Sequence, residues 1–345
     1  MNRDPLVELP ALFTQAQPRA QERFVMGVDG GATKTLAAVL DLQRKALHLG
    51  HGGPSNEDAV GSKAAVQALL GAADEALARA GIGAEALGTA VLAIAGTDTN
   101  SVKEMVRSAR TDAWIVVNDV VAAWATATGG AAGVAVIAGT GSNVFGVGGT
   151  GTDTRAWRAG GWGHVLGDEG SGYWLGVQSI KAALRDREAS GPATELSDAA
   201  VSFFGEPSVE AVAQRVYSKP MTKGEIAAFA IETAKLAERG DAVARELYER
   251  GASELGEQIA AVIRQAGLAE QEFPVGLIGS AFKAGRVFVQ PLTRAIHECA
   301  PGARVETVEM APVGGSLLLA ARACGNGDAI AASELVALLD RALSA

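Results

Sequence analysis

The sequence predicts an α/β protein of two lobes, and three observations carry that reading. The chain has 345 residues, enough for two hydrophobic cores. Apolar runs of strand length alternate with segments whose apolar residues recur at helical spacing. One unit, a strand, a glycine/threonine turn and a returning strand, occurs at Phe24–Leu40 and again at Gly133–Val147. The two copies lie about a hundred residues apart, as a duplicated unit with one copy per lobe would.

Residues 1–22 hold three prolines and no sustained periodicity, so they are expected to form an extension. The first hairpin starts at Phe24, and Ala46–Gly50 is expected to add a third strand. Gly52–Asn56 is a turn. Ser62–Ala80 carries Ala65, Leu69, Ala72, Ala76 and Leu77 at helical spacing and stops at Gly81. Thr89–Ala95 is a buried strand, a short helix spans Thr99–Ala109, and Trp114–Val117 is a strand that ends at Asn118-Asp119. A small-residue helix, Val120–Thr128, follows, with Asp119 suited to cap it.

In the second copy Gly133–Ala138 and Val144–Val147 flank the turn Gly139–Asn143. Gly160–Gly176 is expected to be a glycine-rich loop, and a helical region runs from Gln178 to Gly267. Thr222 and Glu225 predict a capping box there. Tyr248, Ala252, Leu255, Ile259 and Val262 mark the stripe of its last helix. Val275–Ile278 and Arg304–Thr307 are strands, Pro312–Gly315 opens a helix through Ala323, and Ala329–Leu343 is a last helix. The expected lobes are 23–118 and 119–311, with the C-terminal helices of 312–345 returning to the first.

Composition removes several function classes. Thirty basic against 39 acidic side chains give −9, the wrong sign for nucleic acid or an anionic membrane. Cys299 and Cys324 are too few and too isolated for a disulfide framework or a metal cluster. No apolar run is long enough to span a bilayer, and the start lacks a secretory pattern, so a cytoplasmic protein is expected.

The turns carry the chemistry. Gly30 and Gly31 let backbone N–H groups approach a ligand, Thr33 and Thr35 add hydroxyls, and Asp29 adds a carboxylate. Such a turn suits a phosphate chain carried with a divalent cation, and an ordinary hairpin is the alternative. Gly139, Thr140 and Gly141, followed by Ser142 and Asn143, repeat the arrangement. Asp119 stands at the carboxyl end of a strand, where open α/β sheets place ligands. A carboxylate there can take a sugar hydroxyl's proton as the oxygen attacks a γ-phosphate, or can simply cap the helix. Two other matches fail. Gly146, Gly148 and Gly151 fit G-x-G-x-x-G but lead into a polar stretch rather than a helix. Gly30–Thr35 lacks the glycine that a P-loop requires before its lysine. In the loop, Trp162 suits the apolar face of a pyranose and Asp168 its hydroxyls, whereas His164 reads as structural. Asn56, Gly96 and Thr97 end apolar stretches and are either turn residues or part of the same cleft.

The order Asp29-Gly-Gly-x-Thr33, Asn118-Asp119, Gly139-Thr-Gly-Ser-Asn143, Gly160-Gly-Trp-Gly-His164, Gly167-Asp-Glu-Gly-Ser171, Gly279-Ser280 and Gly314-Gly315 resembles the N-acetylglucosamine kinases. These belong to the BadF/BadG/BcrA/BcrD group of the actin/hexokinase/Hsp70 ATPase superfamily. The resemblance spans Phe24 to Ala323, and its most specific stretch is GGWGHVLGDEGS. It implies two ribonuclease-H-like lobes with ATP, Mg2+ and sugar in a central cleft. It further implies that Asp29, Gly30, Gly31, Thr33, Lys34, Gly139, Thr140 and Gly141 meet the phosphates, with Asp29 on the metal through water. Gly279 and Ser280 would lie near the adenosine. Asp119 would be the base, and Asn56, Gly96, Thr97, Asn118, Gly161, Trp162 and Asp168 would join it around the sugar. A homodimer is also expected. Glucosamine, N-acetylmuramic acid or glucose remain alternative substrates, and an activator ATPase or a sugar-sensing regulator remain alternative functions.

Overall fold

Each copy of the repeated unit becomes one side of a five-stranded sheet, and the two sheets have the same strand order. The computed structural model describes residues 22–344, apart from 32, 97–99, 112, 150–152, 219, 220 and 328. The extension expected at 1–22 therefore lies, but for its last residue, outside the described residues. The chain forms two compact units. One comprises the chain up to Gly133 together with Val147–Arg155 and Val308–Ala345, and the other comprises Val134–Gly146 and Ala156–Thr307.

The first unit contains β1 (Phe24–Gly30), β2 (Thr35–Asp41), β3 (Ala46–Gly52), α1 (Ser62–Ala80), β4 (Leu87–Ile94), α2 (Asn100–Ala109), β5 (Trp114–Asn118) and α3 (Asp119–Thr128). Its sheet runs β3-β2-β1-β4-β5. β2 is antiparallel to β1 and β3, while β4 and β5 run parallel with β1. Every residue of β2 is buried, including Thr35 and Asp41 at its two ends. The α1 stripe, with Ala65, Leu69, Ala72 and Ala76 fully buried, packs with Met26, Val28, Val39 and Leu92 into one core. The Ala72 carbonyl lies where a side chain on Gly50 would project, so helix and strand touch backbone to backbone. Asp41 is buried at the end of β2. It accepts from the Arg23 guanidinium and from the Gln43 and Arg44 N–H groups, which hold its carboxyl down at about 2.

The second unit holds β6 (Gly133–Ala138), β7 (Ser142–Gly148), β8 (Arg155–Gly160), α4 (Gly172–Arg187), α5 (Leu196–Phe204), α6 (Val209–Ser218), α7 (Lys223–Arg239), α8 (Ala242–Ala266), β9 (Phe273–Ile278), α9 (Arg286–Cys299) and β10 (Ala303–Thr307). Its sheet runs β10-β9-β6-β7-β8, the same order as the first when β6 is matched to β1. The capping box of Thr222 and Glu225 forms at the start of α7. The whole predicted stripe of α8 is buried, and Tyr248 meets Phe288 edge-on with ring centroids 5.5 Å apart.

Three local expectations change. Residues Gly172–Gly176, read as loop, form the first turn of α4 behind a Ser171 cap. Glycine is tolerated there because the Ile226 carbonyl of α7 occupies the place of a side chain on Gly176. The polar segment after β7 contains an edge strand, β8, whose partly exposed face needs no apolar alternation. Finally α3, assigned to the second lobe by sequence, clusters with the first unit.

The chain returns to the first unit with α10 (Val313–Ala323) and α11 (Ala332–Leu343). α10 lies against β1 and α3. A Cβ on Gly27 would sit 2.7 Å from the Leu317 nitrogen, and one on Gly315 would run into the Ala122 carbonyl and the Thr126 hydroxyl. Gly71, by contrast, is an exposed position of α1 with open space where a Cβ would go. Gly315→Ala should therefore cost about 1–3 kcal/mol through overpacking. Gly71→Ala should gain about 0.5–1 kcal/mol from helix propensity. Urea denaturation of the two variants checks both signs.

Candidate functional site

In the first unit the register brings the candidate residues to one edge of the sheet. Gly30 of β1 pairs with Ile94 of β4, which in turn pairs with Asn118 of β5. Beyond that row the loops are stitched together. Ala95 donates its N–H to Gly30 O at 2.9 Å, and the Asn118 side-chain amide donates to Gly96 O at 3.0 Å. The hairpin turn closes through Gly31 N–H to Lys34 O at 3.0 Å, and Thr33 and Lys34 are exposed on it. Asn56 follows Ser55, whose N–H donates to Gly31 O at 3.0 Å. Asp29, Gly30, Gly31, Asn56, Gly96, Asn118 and Asp119 thus gather where parallel strands end, the usual ligand side of an open α/β sheet. Thr97 lies outside the described residues.

Asp29 is half-buried in this group. Burial pushes its carboxyl up to about 6, and the nearby Lys34 ammonium opposes that shift. Asp119 has a different place from the one its sequence position suggested. The helix cap is Asn118, whose side-chain oxygen accepts from Val120 N–H at 3.2 Å, and Asp119 is the first helical residue. Asn118 takes extended backbone angles that aim its side chain at the helix, so the capping alternative for Asp119 is removed. Thr35, read as a ligand hydroxyl, turns inward and is buried.

In the second unit another set converges at the ends of β6 and β9. Gly279 follows β9 at φ 120°, against the backbone of Ala138-Gly139. A Cβ on Gly139 would still be 4.0 Å from Ser280 Oγ, its nearest neighbour, so this turn stays open above. The first turn of α4 supports it from behind, with Gly172 N–H donating to Gly139 O at 2.8 Å and Tyr173 N–H to Thr140 O at 3.3 Å. Asp168, buried and in the left-handed region at φ 63°, accepts from Ser142 N–H at 3.1 Å. A Cβ on Gly141 would lie 2.9 Å from the same carboxylate, so a side chain there would push the carboxylate aside. Gly161 N–H donates to Ser142 O at 3.0 Å, which brings the Trp162 loop to the same turn. Trp162 is 63% exposed, and the Arg158 guanidinium lies over its ring at 5.5 Å. Sequence reading did not single out Arg158, because a lone arginine in a polar segment carries no signal. His164 is exposed and meets Tyr173 edge-on, with ring centroids 5.2 Å apart.

Among the described residues no three His, Cys, Asp or Glu side chains gather into a metal-holding group, and no helix is long and apolar enough to cross a membrane. The BadF/BadG/BcrA/BcrD ATPase family profile matches residues 26–320. An N-acetylmuramic acid/N-acetylglucosamine kinase of Clostridium acetobutylicum is 28% identical over 307 residues, covering 88% of this chain and 99% of the relative. An N-acetyl-D-glucosamine kinase of Dictyostelium discoideum is 28% identical over 320 residues, 87% of this chain and 98% of the relative. The crystal structure of a candidate N-acetylglucosamine kinase from Chromobacterium violaceum superposes with a TM-score of 0.66 at 25% identity, covering 86% of this chain and 99% of that one.

The division of labour at the start of α3 can be measured. Asn118→Ala should lower unfolding stability by about 1 kcal/mol, the usual cost of a lost N-cap. Asp119→Asn should lose only a few tenths of a kcal/mol, the interaction of its charge with the helix dipole. Equal losses in urea titrations of the two variants would mean that Asp119 shares the capping role.

Proposed function

Since the chain belongs to the BadF/BadG/BcrA/BcrD ATPase family, we propose that it transfers the γ-phosphoryl group of ATP to the 6-hydroxyl of N-acetylglucosamine. It is an ATP-dependent sugar kinase, and the names of its relatives support an amino sugar as the substrate. One observation supports the finer reading more than any other. Asp119 stands at the carboxyl edge of the first sheet with the capping duty carried by its neighbour Asn118. The place of that carboxylate suits proton acceptance from a sugar hydroxyl.

The remaining roles follow from chemistry. Gly30-Gly31 and Gly139-Thr140-Gly141 present backbone that can approach phosphate oxygens, with Thr33 and Lys34 exposed beside the first turn. Gly279 and Ser280 are assigned to the adenosine. Asn56, Gly96, Asn118, Gly161, Trp162 and Asp168 are assigned to the sugar, where Trp162 offers a ring to the apolar face of a pyranose. Thr97 is assigned there too.

Asp29 fits a divalent cation. It is a hard oxygen donor whose burial disfavours its charge, and a cation beside it relieves that penalty. A bound magnesium ion would offset the charge that develops on the transferring phosphoryl group. With no protein cage of carboxylates among the described residues, such an ion would rely on Asp29, water and the phosphates, the usual habit of Mg2+. A cytoplasmic homodimer is the proposed working form.

A panel of N-acetylglucosamine, N-acetylmuramic acid, glucosamine and glucose, assayed by coupled ADP release, tests the substrate. N-acetylglucosamine should give the highest kcat/KM, and ATP turnover without sugar should be slow. Turnover that is fast and indifferent to every sugar would favour an activator ATPase instead. In the same assay Asp119→Asn should lower kcat by about 10²–10⁴ while sugar binding persists. Activity within a few-fold of wild type would remove Asp119 as the base.

Asp29 predicts a pH dependence for the metal. Its carboxyl titrates near 6, so protons compete with Mg2+ below that pH and not above it. The half-saturating Mg2+ concentration should rise about tenfold for each pH unit below 6. Asp29→Asn should raise the Mg2+ requirement at neutral pH and flatten its pH profile. A parallel profile in the variant would mean that the dependence belongs to the nucleotide.

A further inference from the structure

We propose that Thr35 and Ser55 are positioning residues that lock the sugar-side residue Asn56 to the phosphate turn Gly30-Gly31. The proposal rests on the kinase reading above and adds residues to which that reading assigns no role. Ser55 is fully buried and Thr35 is 1% exposed, so neither hydroxyl is available to a ligand. Both are buried polar groups, and each has found a partner in the other.

Three contacts converge on Ser55. Its N–H donates to Gly31 O at 3.0 Å. Its hydroxyl lies 2.8 Å from Thr35 Oγ1, which also reaches Gly53 O at 2.7 Å. Its Oγ fills the place of a side chain on Gly30, 2.5 Å from where that Cβ would be. Thr35 has one proton for two acceptors, so the two hydroxyls and the Gly53 carbonyl form one short chain. Gly30-Gly31 and Thr35 flank one turn, and Gly53 and Ser55 flank the other. Asn56 comes directly after Ser55. It cannot shift relative to the phosphate turn without breaking this chain in a buried setting, where an unpaired acceptor is costly.

The placement matters because phosphoryl transfer depends on holding acceptor and donor in register. A displacement of the order of an ångström between them lowers the rate severely. A turn that holds phosphate and a turn that holds sugar gain that register if one hydrogen-bonded unit joins them. The sequence shows the same economy: Thr35 begins β2 and Ser55 ends the loop after β3, adjacent strands paired from Thr35 to Gly52.

The test compares two buried hydroxyl pairs. Thr35→Val keeps the shape and removes the donor, and Thr35→Ser keeps the donor. The control is Thr233→Val, which breaks the buried Thr233–Ser179 pair between α7 and α4, 2.8 Å apart and outside both candidate sets. N-acetylglucosamine is titrated calorimetrically into each protein without nucleotide, and thermal unfolding is followed alongside. Thr35→Val should weaken sugar binding about tenfold, Thr35→Ser should stay within twofold of wild type, and Thr233→Val should lose thermal stability with no change in sugar affinity. A folded Thr35→Val that binds sugar within twofold of wild type overturns the proposal. So does a Thr233→Val that weakens sugar binding as much as Thr35→Val, since the effect would then be one of general stability. A wild-type protein that binds and phosphorylates no sugar of the panel overturns the kinase reading and this proposal together, whereas an active wild type with an unaffected Thr35→Val overturns the proposal alone.

Discussion

Two backbones can lie closely against each other only where side chains are missing, and the helix that closes the first unit depends on such places. α10 rests on β1 at Gly27 and on α3 at Gly315. Between these contacts Ser316 Oγ donates to Val28 O at 2.9 Å, which satisfies a buried hydroxyl and pins the helix along the strand. β1 leads to Asp29 and α3 begins with Asp119. The helix that closes the core therefore also sets the strand of the proposed metal carboxylate against the helix of the proposed base. A segment almost three hundred residues from β1 in sequence fixes the geometry of the residues at its end.

The second unit solves a related problem with a buried carboxyl group. Asp168 sits in a left-handed backbone conformation that few non-glycine residues accept, although Asp is among the more tolerant. It holds that position by accepting the Ser142 N–H and by lying over Gly141. The Trp162 loop and the Gly139–Gly141 turn are thereby parts of one structure, joined again by Gly161 N–H to Ser142 O. In sequence the proposed sugar loop and the proposed phosphate turn are separate stretches. The fold makes them share their support, so a change at Asp168 acts on both.

The matching strand orders of the two sheets give the repeated turns their meaning. In each unit the Gly/Thr turn follows the central strand that begins the repeat, and a second glycine-containing strand end lies beside it, Ala95-Gly96 in the first and Gly279 in the second. Duplication thus delivers two equivalent strand edges, and the residues at those edges differ according to the proposed ligand. Carboxylates and amides dominate the first, and open glycine backbone with a Ser hydroxyl dominates the second.

Much of this was determined locally and was legible in the sequence. Apolar runs of strand length, the α1 and α8 stripes, the Thr222–Glu225 capping box and the two glycine turns depend on neighbours within a few residues. Each of these formed as expected. The family motifs were legible for the same reason, since they are short and contiguous. The remainder required the tertiary structure. Nothing near Asn118 indicated that it, and not Asp119, would cap α3, because both are good caps and the choice rests on the backbone angles at which β5 ends. Thr35 looked like a ligand hydroxyl until Ser55, twenty residues on, claimed it in the core. The first turn of α4 looked like loop because its glycines are explained only by the Gly139 and Ile226 carbonyls packed against them. Gly27 and Gly315 gave no local sign of their purpose, because the atoms that exclude a side chain at each are far off in sequence, Leu317 for Gly27 and Ala122 for Gly315.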